Sequence, residues 1–331
     1  MIDLYSTLPK KNNHSASCER VAGRPTAAIL DALPDLSMTR DGAFAGCLVK
    51  IRCGDFNRFA FYINDDGEAD KRRIPLSEIT GKTLIVTGAS GGIGRVLALA
   101  LAGEGVGLVL NARSPAALAR VAEECTKRGA AVDFLAGSAA TRQVADGLVE
   151  KAIKTGSFYG FIQAAGVLYP GPVVWDLSSA KFSEIFEASV TASFQMARAA
   201  FPHLIEAGAG IAVFFGSGAA ERVVPGIGAY CAAKAAEEHL ARHLAAETPE
   251  VTTLVFRPGL VNTPMVSSAI HARGRAAKGL REQFRAYERN GEILAAEVPA
   301  LALVSILSNN PRRFHGKIAT WHDGGAEAGV R

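Results

Sequence analysis

Residues 82–87, KTLIVT, form a short apolar run that leads without a break into Gly88-Ala89-Ser90-Gly91-Gly92-Ile93-Gly94 and then into a helical stretch, residues 95–102. A strand buried on both faces reads as such a continuous apolar run. Strand, glycine turn and helix in succession constrain the fold more than any other feature of the chain. The helix N-terminus carries backbone N–H groups with no partner inside the helix, and here they face the turn. That arrangement binds phosphate. Gly88 allows the tight turn, Gly92 lets a phosphate come close to the backbone, and Gly94 lets helix rest on strand. Ser90 and Ile93 share the loop and join the candidate cofactor contacts. The spacing is G-x-x-x-G-x-G, not the G-x-G-x-x-G of the general dinucleotide fingerprint, so a turn that serves topology alone is the competing reading.

The next strand, residues 106–111, ends in Asn111-Ala112-Arg113. An acidic residue about 20 positions beyond the glycines would hold the ribose 2′-OH of NAD. None is present, and Arg113 can instead make charge-assisted bonds to a 2′-phosphate, which favours NADP(H) over NAD(H). The alternative is that Arg113 points to solvent. Helices at 115–128 and 141–155 then alternate with strands at 131–135 and 158–163, and right-handed crossovers build a parallel sheet from them. The expected fold is α/β: a doubly wound parallel sheet of six or seven strands (Rossmann-type) with helices on both faces. One main domain spans residues 76–331.

Residues 210–216 supply the fifth strand, with Ser217 at its carboxyl edge, where ligands of such sheets bind. Thirteen positions on, Tyr230 opens a helix in which Lys234 follows four residues later. Residues four apart share one helix face, so the ammonium can sit beneath the phenol. A nearby ammonium favours the phenolate and lowers a phenol pKa that otherwise lies near ~10. That makes a usable proton donor or acceptor near neutral pH. Tyr-x-x-x-Lys also occurs by chance in amphipathic helices, and its weight comes from its neighbours. A further strand, 251–256, runs into Arg257-Pro258-Gly259-Leu260-Val261-Asn262-Thr263-Pro264-Met265.

Taken together, Thr87–Gly94, Ala165-Gly166, Ser217, Tyr230-x-x-x-Lys234, Pro258-Gly259 and Thr263 resemble the short-chain dehydrogenase/reductase family in order and spacing, over about residues 80 to 325. The resemblance implies a reversible reduction of a ketone or aldehyde to an alcohol. Tyr230 would exchange the proton with the substrate oxygen while hydride moves to or from the nicotinamide. Ser217 would hydrogen-bond that oxygen, and Lys234 would act on Tyr230 and bind the nicotinamide ribose. Pro258 and Gly259 would line the carboxamide pocket, with Thr263 near the cofactor amide or phosphate. Three positions depart from the family pattern. Gln163-Ala164-Ala165-Gly166 replaces Asn-Asn-Ala-Gly, losing the asparagine that braces the sheet. Gly137-Ser138 stands where Asp-Val meets the adenine. Ser189 replaces the helix asparagine of the proton relay, although its hydroxyl could hold a water. A catalytically weak member of the fold, acting as a nucleotide sensor or scaffold, is the alternative to an enzyme.

Residues 1–75 read differently, as an N-terminal extension that is poorly ordered or a small hairpin, or as sequence upstream of the true start. Runs 47–52 and 58–63 look strand-like around 54–57, residues 25–32 are a helical candidate, and 65–73 is a charged linker. The extension is no basic arm, with 11 Lys and Arg against 10 Asp and Glu. A net charge of +4 over 331 residues, spread along the chain, gives no support to nucleic-acid binding. The five cysteines have no C-x-x-C spacing, which argues against zinc or a disulfide framework and for a reduced, cytoplasmic setting. No signal-like apolar region opens the chain, and no stretch approaches the ~20 apolar residues that span a bilayer. His239 and His243 could pass for metal ligands, but a contact or solvent face is the better reading, and no metal is expected. Cys231 reads as a packing residue. The basic segment 266–291 corresponds to the substrate lid of the family, about 264–292, and either favours an acidic substrate or is a solvated face. Tyr169, Pro170 and Trp175 are candidate pocket walls or core. A small-molecule carbonyl or alcohol and a homodimer or homotetramer complete the expectation.

Overall fold

The computed structural model describes residues 77–325 throughout, and before them the backbone of three short strands. The chain divides into two compact units, Met1–Leu76 and Ser77–Arg331. In the first, β1 (Cys47–Ile51) pairs antiparallel with β2 (Phe59–Ile63), from Cys47 opposite Ile63 to Ile51 opposite Phe59. This is the hairpin that the two apolar runs suggested. The charged stretch 65–73 is not a plain linker, because β3 (Ala69–Asp70) adds a third strand beside β2. The helical candidate at 25–32 lies outside the described residues.

The second unit is built on a seven-stranded, wholly parallel sheet. Its strands in chain order are β4 (Thr83–Thr87), β5 (Gly107–Ala112), β6 (Val132–Ala136), β7 (Phe158–Gln163), β8 (Gly210–Phe215), β9 (Val251–Arg257) and β10 (Ile318–Thr320). In space the order is β10-β9-β8-β7-β4-β5-β6. The direction of winding reverses between β4 and β7, and a crevice opens at the carboxyl ends of the strands at such a switch point. The helices that matter below are α1 (Gly92–Gly103), α2 (Pro115–Lys127), α3 (Arg142–Ile153), α4 (Ser179–Phe186), α5 (Ala192–Glu206), α6 (Gly228–Glu247), α7 (Pro264–Ile270), α8 (Ala277–Arg289) and α9 (Glu297–Ser308).

Strand periodicity sorts the core into two layers. Leu84, Val86, Leu108, Leu110 and Val213 face α1 and α9, where Leu97, Leu101, Leu303 and Ile306 meet them. Ile85, Val109, Phe161 and Phe214 face the opposite side, against Leu148 on α3 and Met196, Ala200 and Leu204 on α5. Phe161 and Phe214 pack edge-to-face with centroids 5.5 Å apart. Both faces being covered is why β4 and β8 are buried at every residue. Gly160 sits at φ +151°, and a Cβ there would lie 1.8 Å from the Ile211 carbonyl oxygen, so only glycine lets β7 run this close to β8.

Between α4 and α5 the chain makes a π-helical turn, Glu187–Thr191, one residue wider than the α-helix on either side. The segment expected as a lid is two helices, α7 and α8. Ala277, Leu280 and Phe284 of α8 turn inward, while Arg273, Arg275, Lys278, Arg285 and Arg289 are exposed. The basic residues are therefore mainly a solvated face; Arg275 pairs with Asp176 at 3.1 Å. Among the described residues no helix is long and apolar enough to cross a membrane.

Candidate active site

A cleft of about 1200 Å³ lies at the carboxyl ends of β4, β5, β7, β8 and β9. Its floor is the glycine turn. Gly88 has φ +67°, and a Cβ there would come within 2.9 Å of the Ala165 backbone. At Gly94 a Cβ would lie 2.3 Å from the Gly88 carbonyl oxygen, so α1 rests directly on the end of β4. The N-cap of α1 is Gly91, with no side chain to accept from the first N–H groups, and no acidic residue occupies the first turn. Ser90, Gly92 and Ile93 all line the cleft beside this terminus. The residues present therefore fit the pyrophosphate of a dinucleotide. Thr263 caps α7 by accepting from Val266 N–H at 3.5 Å, and its methyl lies 3.5 Å from where a Gly92 Cβ would be.

Arg113 and Asn111 mark the far end. Asn111 is buried, and its amide donates to the carbonyls of Leu135 and Gly137 at 2.8 and 3.2 Å, which ties β5 to the end of β6. Gly137 and Ser138 line the same end. Arg113 lines the cleft with its side chain 71% exposed, and its Nη1 is 2.6 Å from Glu184 Oε1 on α4. Tyr169 Oη donates to the other oxygen of Glu184. These bonds, first from Tyr169 and then from Arg113, hold the Glu184 carboxyl below its usual range.

The expected loss of a sheet brace at Gln163 is corrected by the geometry. Thr87 Oγ1 donates to Gln163 Oε1 at 2.8 Å and accepts from Ala164 and Ala165 N–H, while Gln163 Nε2 donates to the Ala188 carbonyl at 3.1 Å. A glutamine, one methylene longer than asparagine, still bridges β4, β7 and the π-turn. Ser189, within that turn, is fully buried and its Oγ has no hydrogen-bond partner among the described residues.

Ser217, Tyr230 and Lys234 all line the cleft. Ser217 follows β8; its Oγ accepts from Ala219 N–H at 3.2 Å. Tyr230 and Lys234 lie in the first two turns of α6, with Nζ 5.9 Å from the phenol ring centroid. Lys234 is only 3% exposed. Its ammonium donates to the Phe215 carbonyl and to Glu237 Oε2, both at 2.7 Å. Burial works against the Lys234 charge, but Glu237, Tyr230 and Glu238 outweigh it and hold the ammonium above its usual range. Gly166 lies beside it: a Cβ there would be 3.9 Å from Nζ.

Two further carboxylates carry the site and were not singled out from the sequence. Glu238 accepts Arg257 Nε at 2.9 Å and Nη2 at 2.6 Å, and one of its oxygens also accepts Ser217 N–H at 3.0 Å. It thereby locks the start of the serine loop to the end of β9, immediately before Pro258. Glu237 is fully buried between Lys234 and Ser193. Gly259 has φ +81°, and its Cα side is closed by Trp321, whose Nε1 would be 2.8 Å from a Cβ there. Trp321 and His322 also line the cleft.

Other candidates lie elsewhere. Tyr169, Pro170 and Trp175 are not in the cleft wall; Trp175 is 78% exposed and belongs to no core. Cys231 is half-buried against the apolar cluster under α8, and burial pushes its thiol up. His239 and His243 face solvent with their Nε2 atoms 3.2 Å apart, and no third metal-ligating side chain joins them among the described residues.

Residues 82–274 match the short chain dehydrogenase family. An uncharacterized oxidoreductase of Schizosaccharomyces pombe is 28% identical over 249 residues, 74% of this chain and 98% of that protein. The NADPH-dependent pterin aldehyde reductase of Arabidopsis thaliana is 28% identical over 196 residues, 58% of this chain and 80% of its own length. Among solved structures, a short-chain dehydrogenase/reductase of Saccharomyces cerevisiae aligns with a TM-score of 0.67 at 27% identity, covering 75% of this chain and 98% of that one.

Proposed function

The chain belongs to the short-chain dehydrogenase/reductase family, and on that premise we propose that it is an NADP(H)-dependent oxidoreductase that interconverts a ketone or aldehyde and an alcohol, with Tyr230 as general acid/base. The observation that carries this is convergence. Ser217, Tyr230 and Lys234 open onto the same cleft as an uncapped, glycine-cradled helix terminus. The bound nicotinamide would supply or accept the hydride. In reduction, Tyr230 Oη gives its proton to the substrate oxygen, and in oxidation it takes one back. Ser217 Oγ donates a hydrogen bond to that oxygen as negative charge gathers on it. Lys234 would direct an N–H at the nicotinamide ribose, and Pro258 and Gly259 would wall the carboxamide pocket. Gly88, Ser90, Gly92, Ile93 and Gly94 would hold the phosphates, with Ala165, Gly166 and Thr263 also in the cofactor site. The Ser189 hydroxyl, without a hydrogen-bond partner among the described residues, can hold a water in the π-turn on which α6 packs.

Preference for NADP(H) rests on Arg113, which would exchange Glu184 for the 2′-phosphate, and the NADPH dependence of the Arabidopsis relative supports it. A homodimer or homotetramer in the cytoplasm belongs to the same reading, which light scattering and fractionation test. Turnover is tested by following NADPH absorbance with a panel of ketones and aldehydes, beside Tyr230→Phe. Oxidation that needs a carbonyl compound and falls by about 10²-fold or more in the variant is the expected result. Tight NADPH binding with no turnover of any carbonyl would instead assign the chain a sensing or scaffold role.

A further inference from the structure

We propose that Glu237 is a positioning residue of this site: it fixes the Lys234 ammonium from behind, so that the remaining N–H is delivered to the cleft. The proposal rests on reading Lys234 as a contact to the nicotinamide ribose. A carboxylate with no solvent exposure is costly to keep unless its oxygens are satisfied. Both are: Oε2 accepts from Lys234 Nζ at 2.7 Å and Oε1 from Ser193 Oγ at 2.8 Å. Ser193 stands in the first turn of α5, just after the π-turn, so the carboxylate is anchored to a second helix.

An ammonium has three N–H groups. One goes to the Phe215 carbonyl at the end of β8 and one to Glu237, one turn further along α6. Together they restrain a flexible four-carbon chain from two elements and leave one donor for the cleft that Lys234 lines. A lysine has much rotamer freedom to lose on being fixed, and this is settled before any cofactor arrives.

Glu237 also balances charge. A lysine 3% exposed would shed its proton readily if burial acted alone. The charged and titratable groups facing it are Glu237, Glu238 and Tyr230, and the Glu238 charge is already met by Arg257. Around Glu237 the facing groups are Lys234, Ser193 and Glu238. Glu237 is thus the carboxylate in direct contact with the ammonium, and the one whose loss leaves it to burial. Removing its charge lowers the pH at which Lys234 becomes neutral; the sign follows, since cofactor binding that needs the ammonium is then lost at lower pH.

The test measures the NADPH dissociation constant of the full chain by fluorescence from about pH 7 to about pH 9.5, a range below the ordinary lysine pKa. Wild type holds its affinity across that range. Glu237→Gln keeps size and hydrogen-bonding capacity but not charge, and its affinity weakens as pH rises, approaching tenfold per pH unit, one proton taken up per binding event. Glu237→Asp, which retains the charge, restores a flatter profile. Parallel profiles for Glu237→Gln and wild type, even with a lower melting temperature, overturn the proposal, because a merely structural role lowers stability without moving the profile. The wild-type curve is decisive by itself should Glu237→Gln not fold: affinity already falling between about pH 7 and 9 means the ammonium is not held. Lys234→Met separates the two levels of inference. If it binds NADPH as wild type does, the reading of Lys234 fails; if it binds weakly while Glu237→Gln keeps the wild-type profile, only the role of Glu237 fails.

Discussion

Breaking the Glu238–Arg257 pair is the sharpest perturbation available in this site. The Glu238 side chain is 4% exposed and that of Arg257 15%, and two N–H···O contacts of 2.9 and 2.6 Å join them in a fork. Unit charges with centres about 4 Å apart attract by roughly 4 kcal/mol at an effective dielectric of about 20. Desolvation of both ions returns part of that, leaving a coupling of about 2 kcal/mol. Glu238→Ala removes more than the pair, because Ser217 N–H also loses its acceptor, an orphaned, half-buried donor that costs about 1–3 kcal/mol. The sum is about 3–5 kcal/mol, the usual cost of leaving one partner of a buried pair behind. Glu221, which accepts from Arg257 at 2.8 Å, moderates it from the surface. For a unit of about 250 residues each kcal/mol moves the melting temperature by about 2–4 °C, so a fall of about 10 °C is expected. The assay is a double-mutant cycle in urea with Glu238→Ala, Arg257→Ala and both, alongside kcat for each. The double variant should be more stable than the summed single losses imply by about 2 kcal/mol. Losses additive within about 0.5 kcal/mol would refute the coupling. An unchanged kcat in Glu238→Ala would refute the claim that this carboxylate sets the serine loop.

Two other expectations follow from the same structure. Arg113→Ala should weaken NADPH by about 1.5–3 kcal/mol, the worth of charge-assisted bonds, while leaving NADH nearly untouched; equal losses for both cofactors would remove Arg113 from the 2′-phosphate site. Cys125 is wholly buried on α2, and burial raises its thiol from an ordinary value of 9.0 to about 11. A raised folded-state value means the unfolded chain releases this proton first, so its contribution to stability is intact below pH 9.0 and is lost as pH rises towards about 11. Peptide mapping after iodoacetamide at neutral pH should find Cys125 unlabelled in the folded chain and labelled in urea. Labelling without denaturant would contradict the burial.

What the sequence disclosed was local. The passage from apolar strand through glycines to helix is written in adjacent residues, as is the shared face of Tyr230 and Lys234. What it hid depends on partners distant along the chain. Gln163 looked like a lost brace because the residue type had changed, yet its amide still reaches Thr87 and Ala188. Glu237 and Glu238, adjacent acids on an alanine-rich helix next to exposed His239, carry the composition of a solvated face. Their burial is decided by Ser193 on another helix and Arg257 on another strand. Trp175 misled in the opposite sense, since aromatic character suggests a wall or core and this ring lies in solvent.

The wide turn at Glu187–Thr191 acts on the helix as a skipped thread acts on a screw. In a regular helix one additional residue would rotate everything after it by about 100°; the wide turn absorbs that residue locally, so the segments on either side keep the facing they would have without it. Glu184 reaches Arg113 from before the turn and Ser193 reaches Glu237 from after it. Deleting a single residue within Glu187–Thr191 would return the helix to regular pitch with both side chains still aligned, so the extra residue serves the turn itself, where Ser189 lies buried, and not the two ends of the cleft.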